Sequence, residues 1–305
     1  MVERIKSQQE VLELAHKNGL TLRESSLQFN ESGLDFQVVL ATDNAGERWV
    51  LRLPRRDDVL PSIDQEKRTL ELIAPLLSVE VPQWTVCSDE LIAYPALNGV
   101  PMGTIDPEAK AYRWEIAPAN IPDRFHQSLA KGLASLHQIS LERVRASGLP
   151  VKTAEAIRAD MKQRMDAVKS EFGVGQTLWE RWQNWLHNDE MWMQETTLIH
   201  GDLHAGHILI DEQAQATGFI DWTEASVADP ARDFVAHYRT FGQAALNKLI
   251  SGYAEAGGYT WSTMAEHVIE LNATFAIEIA EFALKSGLDE YKQMATQSLC
   301  ENAQN

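Results

Sequence analysis

Apolar residues recur along this chain with two different periods, and the change of period divides it in two. In residues 7–19, Val11, Leu12, Leu14 and Ala15 fall at helical spacing, and Gly19 is a stop signal. Strand-like runs follow at 25–29 and 36–40, separated by the turn-forming segment Asn30-Glu31-Ser32-Gly33-Leu34-Asp35. A second turn, Asp43-Asn44-Ala45-Gly46, leads into Trp49-Val50-Leu51-Arg52-Leu53-Pro54. The first 55 residues therefore predict three strands joined by hairpins, an antiparallel sheet. Residues 63–77 read as a helix carrying Glu66, and 86–94 contain two more short strand-like runs. Pro95 and Asn98-Gly99 close this part.

Beyond residue 100 the period turns helical. Residues 122–139 place Phe125, Leu129, Leu133 and Leu136 on one face, and 154–172 form another helix ahead of Gly173-Val174-Gly175. In 178–186, Trp179, Trp182 and Trp185 recur three apart, a stripe that reads as core. Helices also fit 229–241, 244–256, 263–286 and 290–303. One polar hairpin interrupts them. Ile208-Leu209-Ile210 is an uncharged strand, 211–216 a turn, and 217–220 the returning strand. The fold class is α+β in two lobes: a small antiparallel-sheet lobe over 1–95 and a larger helical lobe over 96–305.

Composition narrows what such a chain does. It has 305 residues, 44% of them apolar and 23% charged, an ordinary globular balance. A net charge of −17 makes nucleic acid and anionic lipid poor partners. An acidic cleft instead suits a cationic small molecule. The two cysteines, Cys87 and Cys300, form neither a disulfide framework nor a zinc motif, which fits a reducing cytoplasm. The first residues carry charges where a signal peptide needs an apolar core. No apolar run approaches the roughly 20 residues that span a bilayer. Nothing in the chain asks for an obligate oligomer, so a monomer is expected.

The chemistry concentrates near residue 200. His200-Gly201-Asp202-Leu203-His204-Ala205-Gly206-His207 precedes the hairpin, and Phe219-Ile220-Asp221-Trp222 leaves it. Antiparallel pairing brings Asp221 back beside His207, with Asp202 on the preceding loop. Two acids converging on one point repel unless a cation lies between them or one is protonated. Magnesium carrying a nucleotide's phosphates resolves that conflict. Upstream, Arg52 sits on the third strand, where a cation reaches phosphates, and Glu66 lies in position to pair with it. The turn holding Ser32 and Gly33 would fold over the phosphates. The order of these parts is that of a phosphoryl-transfer site.

With those residues in hand, the chain resembles the aminoglycoside phosphotransferase-like kinases, which share the protein-kinase fold. More narrowly it is similar to the bacterial macrolide 2'-phosphotransferases. The resemblance rests on the stretches 29–36, 49–56, 198–207 and 220–225. It implies that Asp202 orients the acceptor hydroxyl and takes its proton, while His207 and Asp221 hold Mg2+. It implies that Arg52 contacts the nucleotide phosphates, steadied by Glu66, and that Ile92-Ala93-Tyr94 hydrogen-bonds the base through its backbone. GTP is the implied phosphate donor, with ATP an alternative. Two positions depart from the wider superfamily, which usually has Asn at His207 and Lys at Arg52. An imidazole is a softer ligand than magnesium prefers, and a guanidinium forks where an ammonium is a point charge.

A macrolide acceptor calls for an apolar wall with acids near its amino sugar. Phe275, Ile279 and Phe282 recur on one helical face, with Glu278 on the same segment; such a face more commonly packs a core, and both readings stand at this point. Asp229 suits the cap of a helix starting at Pro230. Asp233 suits a hydrogen bond steadying the catalytic loop, and His200 belongs with these two supporting residues. The same fold acting on an aminoglycoside or a choline-like alcohol, or a nucleotide-binding scaffold without turnover, are the competing readings.

Overall fold

The computed structural model describes residues 6–31, 33, 35–106 and 111–300. Helix α1 (Gln8–Lys17) starts at a reciprocal cap: Glu10 N donates to Ser7 Oγ and Ser7 N donates to Glu10 Oε2. Then come β1 (Gln28–Asn30), β2 (Phe36–Thr42), β3 (Arg48–Pro54), α2 (Leu60–Ile73), β4 (Val86–Cys87) and β5 (Ile92–Pro95). The strands form one antiparallel sheet in the order β1-β2-β3-β5-β4. The expected first strand at 25–29 begins later, because Glu24–Ser26 is a 3-10 turn.

Alternation along β2 and β3 gives the sheet two apolar faces. Val39, Ala41, Leu51 and Leu53 pack on α1 with Val11 and Leu14, while Phe36, Ile92 and Tyr94 face α2 with Ile63. Arg52 follows Leu51, so it points to the α2 face.

The chain past residue 100 is less uniformly helical than its pattern predicts. Strand β6 (Val100–Pro101) is followed by a hairpin of β7 (Gly103–Asp106) and β8 (Ala111–Trp114). Its short, half-exposed strands carry too little apolar alternation to announce themselves. Then come α3 (Asp123–His137), α4 (Leu141–Ala146), α5 (Ala154–Phe172), α6 (Gln176–His187), β9 (Thr197–Ile199), β10 (Ile208–Ile210), β11 (Ala216–Phe219) and β12 (Ser226–Ala228). Strand β10 pairs with both β11 and β6, and β12 pairs with β9.

Helix α7 (Arg232–Glu255) bends at Gly242, whose φ of 76° and ψ of −178° interrupt the helical backbone between the two segments expected there. Its first residue is Arg232 rather than Pro230. The expected helix over 263–286 is two helices, α8 (Met264–Ala273) and α9 (Phe275–Ser286), parted at the buried Thr274, and α10 (Asp289–Cys300) follows. The central core joins α3, α7 and the β9–β12 segment through Phe125, Leu129, Phe219 and Phe234. A second core joins α5, α6, α9 and α10 around Met165, Trp182, Trp185 and Ile277. Trp182 and Trp185 are buried there, and their indole N–H groups donate to Ala273 O and His267 Nδ1.

Candidate active site

The β10–β11 hairpin sets the distances. Ile208 pairs with Phe219, and Ile220 N donates to His207 O at 3.0 Å, so the residues after Ile220 emerge beside His207. Asp221 turns there with φ of 62°, a left-handed conformation that costs a non-glycine residue roughly 1 kcal/mol or more. The turn brings Asp221 Oδ2 to 3.7 Å from His207 Nε2 and Oδ1 to 3.9 Å from Arg52 Nη2, and Thr223 Oγ1 donates to Oδ1 at 2.8 Å. Burial raises the Asp221 carboxyl, but the Arg52 cation, with His207 and the Thr223 hydrogen bond, outweighs it and the net shift is downward.

Arg52 and Glu66 meet across the sheet–helix gap, Nη1 to Oε1, at 2.6 Å, and both are buried. The guanidinium also lies over the Phe36 ring, 4.2 Å from its centroid. Burial pushes the Glu66 carboxyl up, with Arg52 opposing. Glu66 Oε2 has no hydrogen-bond partner among the described residues, a buried oxygen turned away from its ion pair.

Asp202 follows Gly201, whose φ of 87° and close approach require glycine: a Cβ there would lie 2.4 Å from Glu224 O. The carboxylate of Asp202 is half exposed, with Oδ2 3.6 Å from His207 Nδ1. Burial pushes it up to about 6; His207 opposes, while Asp221, Glu224 and Glu278 add to the rise. His207 Nδ1 lies 2.8 Å from Asp202 O. A carbonyl only accepts, so Nδ1 carries the proton and Nε2 presents its lone pair toward Asp221.

That pair offers a nitrogen lone pair and a carboxylate oxygen to a small divalent cation. Octahedral ligands about 2.1 Å from magnesium are about 3 Å apart when adjacent and about 4.2 Å when opposite. At 3.7 Å, His207 Nε2 and Asp221 Oδ2 stand wider than an adjacent pair and would have to close by less than about 1 Å to share the ion.

Behind the loop lies its anchor. Asp233, buried at the start of α7, accepts from His200 N and Gly201 N, each at 2.8 Å, and from His137 Nε2 at 3.1 Å. His137 Nδ1 is 2.9 Å from Tyr253 Oη. Burial raises the Asp233 carboxyl, yet His137 and the other donors bring it below the usual range. His200 is fully buried, accepts from Asp202 N and donates to Ile220 O; burial holds its imidazole down at about 4. Asp229 Oδ1 accepts from Ala231 N at 2.9 Å, the contact that a cap ahead of Pro230 makes, although α7 itself begins only at Arg232. Its Oδ2 lies 2.6 Å from His267 Nε2, and His267 in turn accepts from Trp185.

The other residues singled out in the sequence scatter more widely. Ser32 lies outside the described residues, and Gly33 is exposed beside Phe36. Ile92, Ala93 and Tyr94 sit inside β5, paired to β3, and Ala93 O accepts from Thr85 N. On their other side Ile92 and Ala93 pair with β4, and Tyr94 has no partner residue in that strand. On α9 the buried face is Ala276, Ile277, Ala280 and Ala283. Phe275 and Glu278 flank it toward the site: Phe275 stacks under Arg239, and Glu278 faces Arg232, which reaches Gly201 O. Ile279 packs on the second core, and Phe282 stands edge-on to Tyr291 of α10.

Four residues close to the site were not singled out in the sequence: His137, His204, Tyr112 and Arg239. His204 lies inside the motif itself, 4.0 Å from Asp202 Oδ2. The others have no local signal, since each meets the loop from a distant element.

Comparison with known proteins places this geometry in context. The phosphotransferase enzyme family profile matches residues 26–267. YcbJ of Bacillus subtilis (strain 168), an uncharacterized protein, is 43% identical over 290 residues, 95% of each chain. Among solved structures, macrolide 2'-phosphotransferase MphH from Brachybacterium faecium superposes with a TM-score of 0.90 at 35% identity, covering 96% of this chain and 97% of that one. Macrolide 2'-phosphotransferase type I gives 0.88 at 37% identity over 99% of both chains.

Proposed function

The chain belongs to the phosphotransferase enzyme family, and from that footing we propose that it phosphorylates the 2'-hydroxyl of the amino sugar of macrolide antibiotics. The donor in this reading is the γ-phosphate of GTP, with ATP the alternative. The likeness to two macrolide enzymes over nearly the full length of each carries the reading. The charge of the cleft supports it: Asp221, Glu224 and Glu278 all act on Asp202 there, which suits a cationic dimethylamino sugar.

In this reading Asp202 orients the acceptor hydroxyl and takes its proton. His207 and Asp221 hold magnesium, which when bound neutralises charge on the transferring phosphoryl group. Arg52 binds the nucleotide phosphates, fixed by Glu66. Phe275 and Glu278, beside Arg239 and Arg232, are the part of α9 best placed to meet the sugar. The enzyme acts as a monomer in the cytoplasm, where nucleotide and magnesium are available. No helix among the described residues is long and apolar enough to cross a membrane.

The deciding experiment incubates the protein with magnesium, GTP or ATP, and erythromycin, kanamycin or choline, and reads the phosphate mass increment. We expect product with erythromycin. Product with kanamycin or choline alone overturns the substrate assignment, and nucleotide binding without any product overturns the catalytic one.

Two further outcomes follow. Replacing Asp221 with Ala removes a magnesium ligand, so magnesium-dependent nucleotide affinity should weaken about tenfold or more. Calorimetry giving an unchanged Kd would take the metal role away from it. For the free enzyme, log kcat/KM should fall with unit slope as Asp202 protonates below its value of about 6. A profile that stays flat down to pH 5 would assign the proton to another group.

A further inference from the structure

We propose that His204 is a positioning residue for phosphoryl transfer: a fixed N–H donor that holds Oδ2 of Asp202 and leaves Oδ1 to face the acceptor. The inference rests on the base role given to Asp202 under the proposed function, but not on the identity of the acceptor.

The argument starts from a tautomer. His204 Nδ1 accepts from Gly206 N at 2.9 Å and lies 3.1 Å from Tyr112 Oη. A backbone N–H only donates, so Nδ1 is the lone-pair nitrogen and the ring proton of the neutral imidazole sits on Nε2. Nε2 is the atom 4.0 Å from Asp202 Oδ2. The ring has little freedom to turn away. It lies against His207, with ring centroids 3.9 Å apart, and over Gly206, where a Cβ would come within 2.7 Å of His204 Cε1. Tyr112 belongs to β8, so the β7–β8 hairpin holds the ring from the far side.

The same tautomer removes the rival reading. Asp202, His204 and His207 offer ligand atoms within 4.8 Å of one another, close enough for a metal ion. A nitrogen that carries a proton has no lone pair to give, so His204 Nε2 is a donor and not a ligand. What remains is a carboxylate whose ring contacts fall on one oxygen: His204 Nε2–H lies 4.0 Å from Oδ2, and His207 Nδ1, whose proton goes to Asp202 O, lies 3.6 Å from it. The His204 contact is one of charge and dipole, and an approach of about 1 Å makes it a hydrogen bond. Fixing Oδ2 fixes the direction of Oδ1, and orientation of the base is what the transfer depends on.

The test compares His204→Ala, His204→Gln and Tyr112→Phe in the full chain. Glutamine carries an amide N–H near the position of imidazole Nε2. For His204→Ala we expect kcat to fall about tenfold or more, with KM for acceptor and nucleotide within about twofold. His204→Gln should restore most of kcat, and Tyr112→Phe should cost less than His204→Ala. A His204→Ala enzyme within twofold of wild-type kcat overturns the proposal. So does a glutamine variant as impaired as the alanine one, which would indicate packing alone, or a loss of kcat matched by loss of nucleotide affinity. If the alanine variant does not fold, the glutamine variant decides by the same criterion. A wild-type enzyme silent toward macrolides overturns the substrate reading only; the variants are then compared on nucleotide hydrolysis, with water as the acceptor.

Discussion

Replacing Asp202 with Asn should produce an enzyme that is nearly inactive, binds nucleotide normally and melts at a higher temperature than the wild type. General-base assistance contributes about 10²- to 10⁴-fold, so a loss of kcat near 10³-fold is expected. Nucleotide affinity depends in the proposed mechanism on Arg52, Asp221 and His207, none of which the change removes. The gain in stability comes from the same electrostatics that serve the reaction. Burial lifts the Asp202 carboxyl to about 6; His207 opposes, and Asp221, Glu224 and Glu278 add to the rise. A carboxyl raised on folding contributes stability below its unfolded pKa, and that contribution is lost as pH rises through the folded value. At pH 8 the wild type therefore carries an ionised Asp202 among other acids, and the amide does not. Because the side chain is half exposed, solvent screens the effect, and the rise in Tm should be modest. Calorimetric melts at pH 8 and pH 5 separate the two states, since the advantage of Asn should fall to about half at pH 5 and vanish only below the unfolded value near 4. A variant that melts lower than wild type at pH 8 would place the acid repulsion elsewhere, and near-normal kcat would end the base assignment.

The parts of this fold that were legible in the sequence are those whose stabilising pattern is local. Strands β2 and β3 read as near-continuous apolar runs because one face packs on α1 and the other on α2, and α5 matches its predicted bounds. The β7–β8 hairpin was not legible, since its strands are short, half exposed and carry little apolar alternation. The break at Thr274 carries no glycine or proline to mark it. In the site, the meeting of His207 with Asp221 could be read from one hairpin, and that of Arg52 with Glu66 from a strand followed by a helix. The contact between His137 and Asp233 spans 96 residues and leaves no periodic trace. The donor character of His204 was hidden for another reason: it depends on which ring nitrogen the Gly206 N–H happens to meet.

Replacing Asp233 with Ala should unfold the catalytic loop's support and cost far more stability than its distance from the cleft suggests. One buried carboxylate accepts three hydrogen bonds, from His200 N, Gly201 N and His137 Nε2. Each buried donor left without a partner costs about 1–3 kcal/mol, and breaking a buried charged network typically costs about 3–5 kcal/mol in all. Against a total of roughly 5–15 kcal/mol for a domain, that is a large fraction. A fall in Tm of about 10 °C or more is expected. Activity should fall further than stability alone dictates, because His200 and Gly201 are the residues that aim Asp202. The carboxyl is also held below its ordinary value, chiefly by His137 against the opposing effect of burial. A depressed pKa means stability that is present above the unfolded value near 4 and is lost as pH falls through the lower folded value. The wild type should therefore lose Tm on acidification below about pH 4. In Asp233→Asn, which keeps one acceptor oxygen but cannot titrate, that part of the acid dependence should be absent. If Asp233→Ala melted within 2 °C of wild type, the three donors would have found other partners, and the loop's geometry would have to be held by the β9–β12 pairing instead.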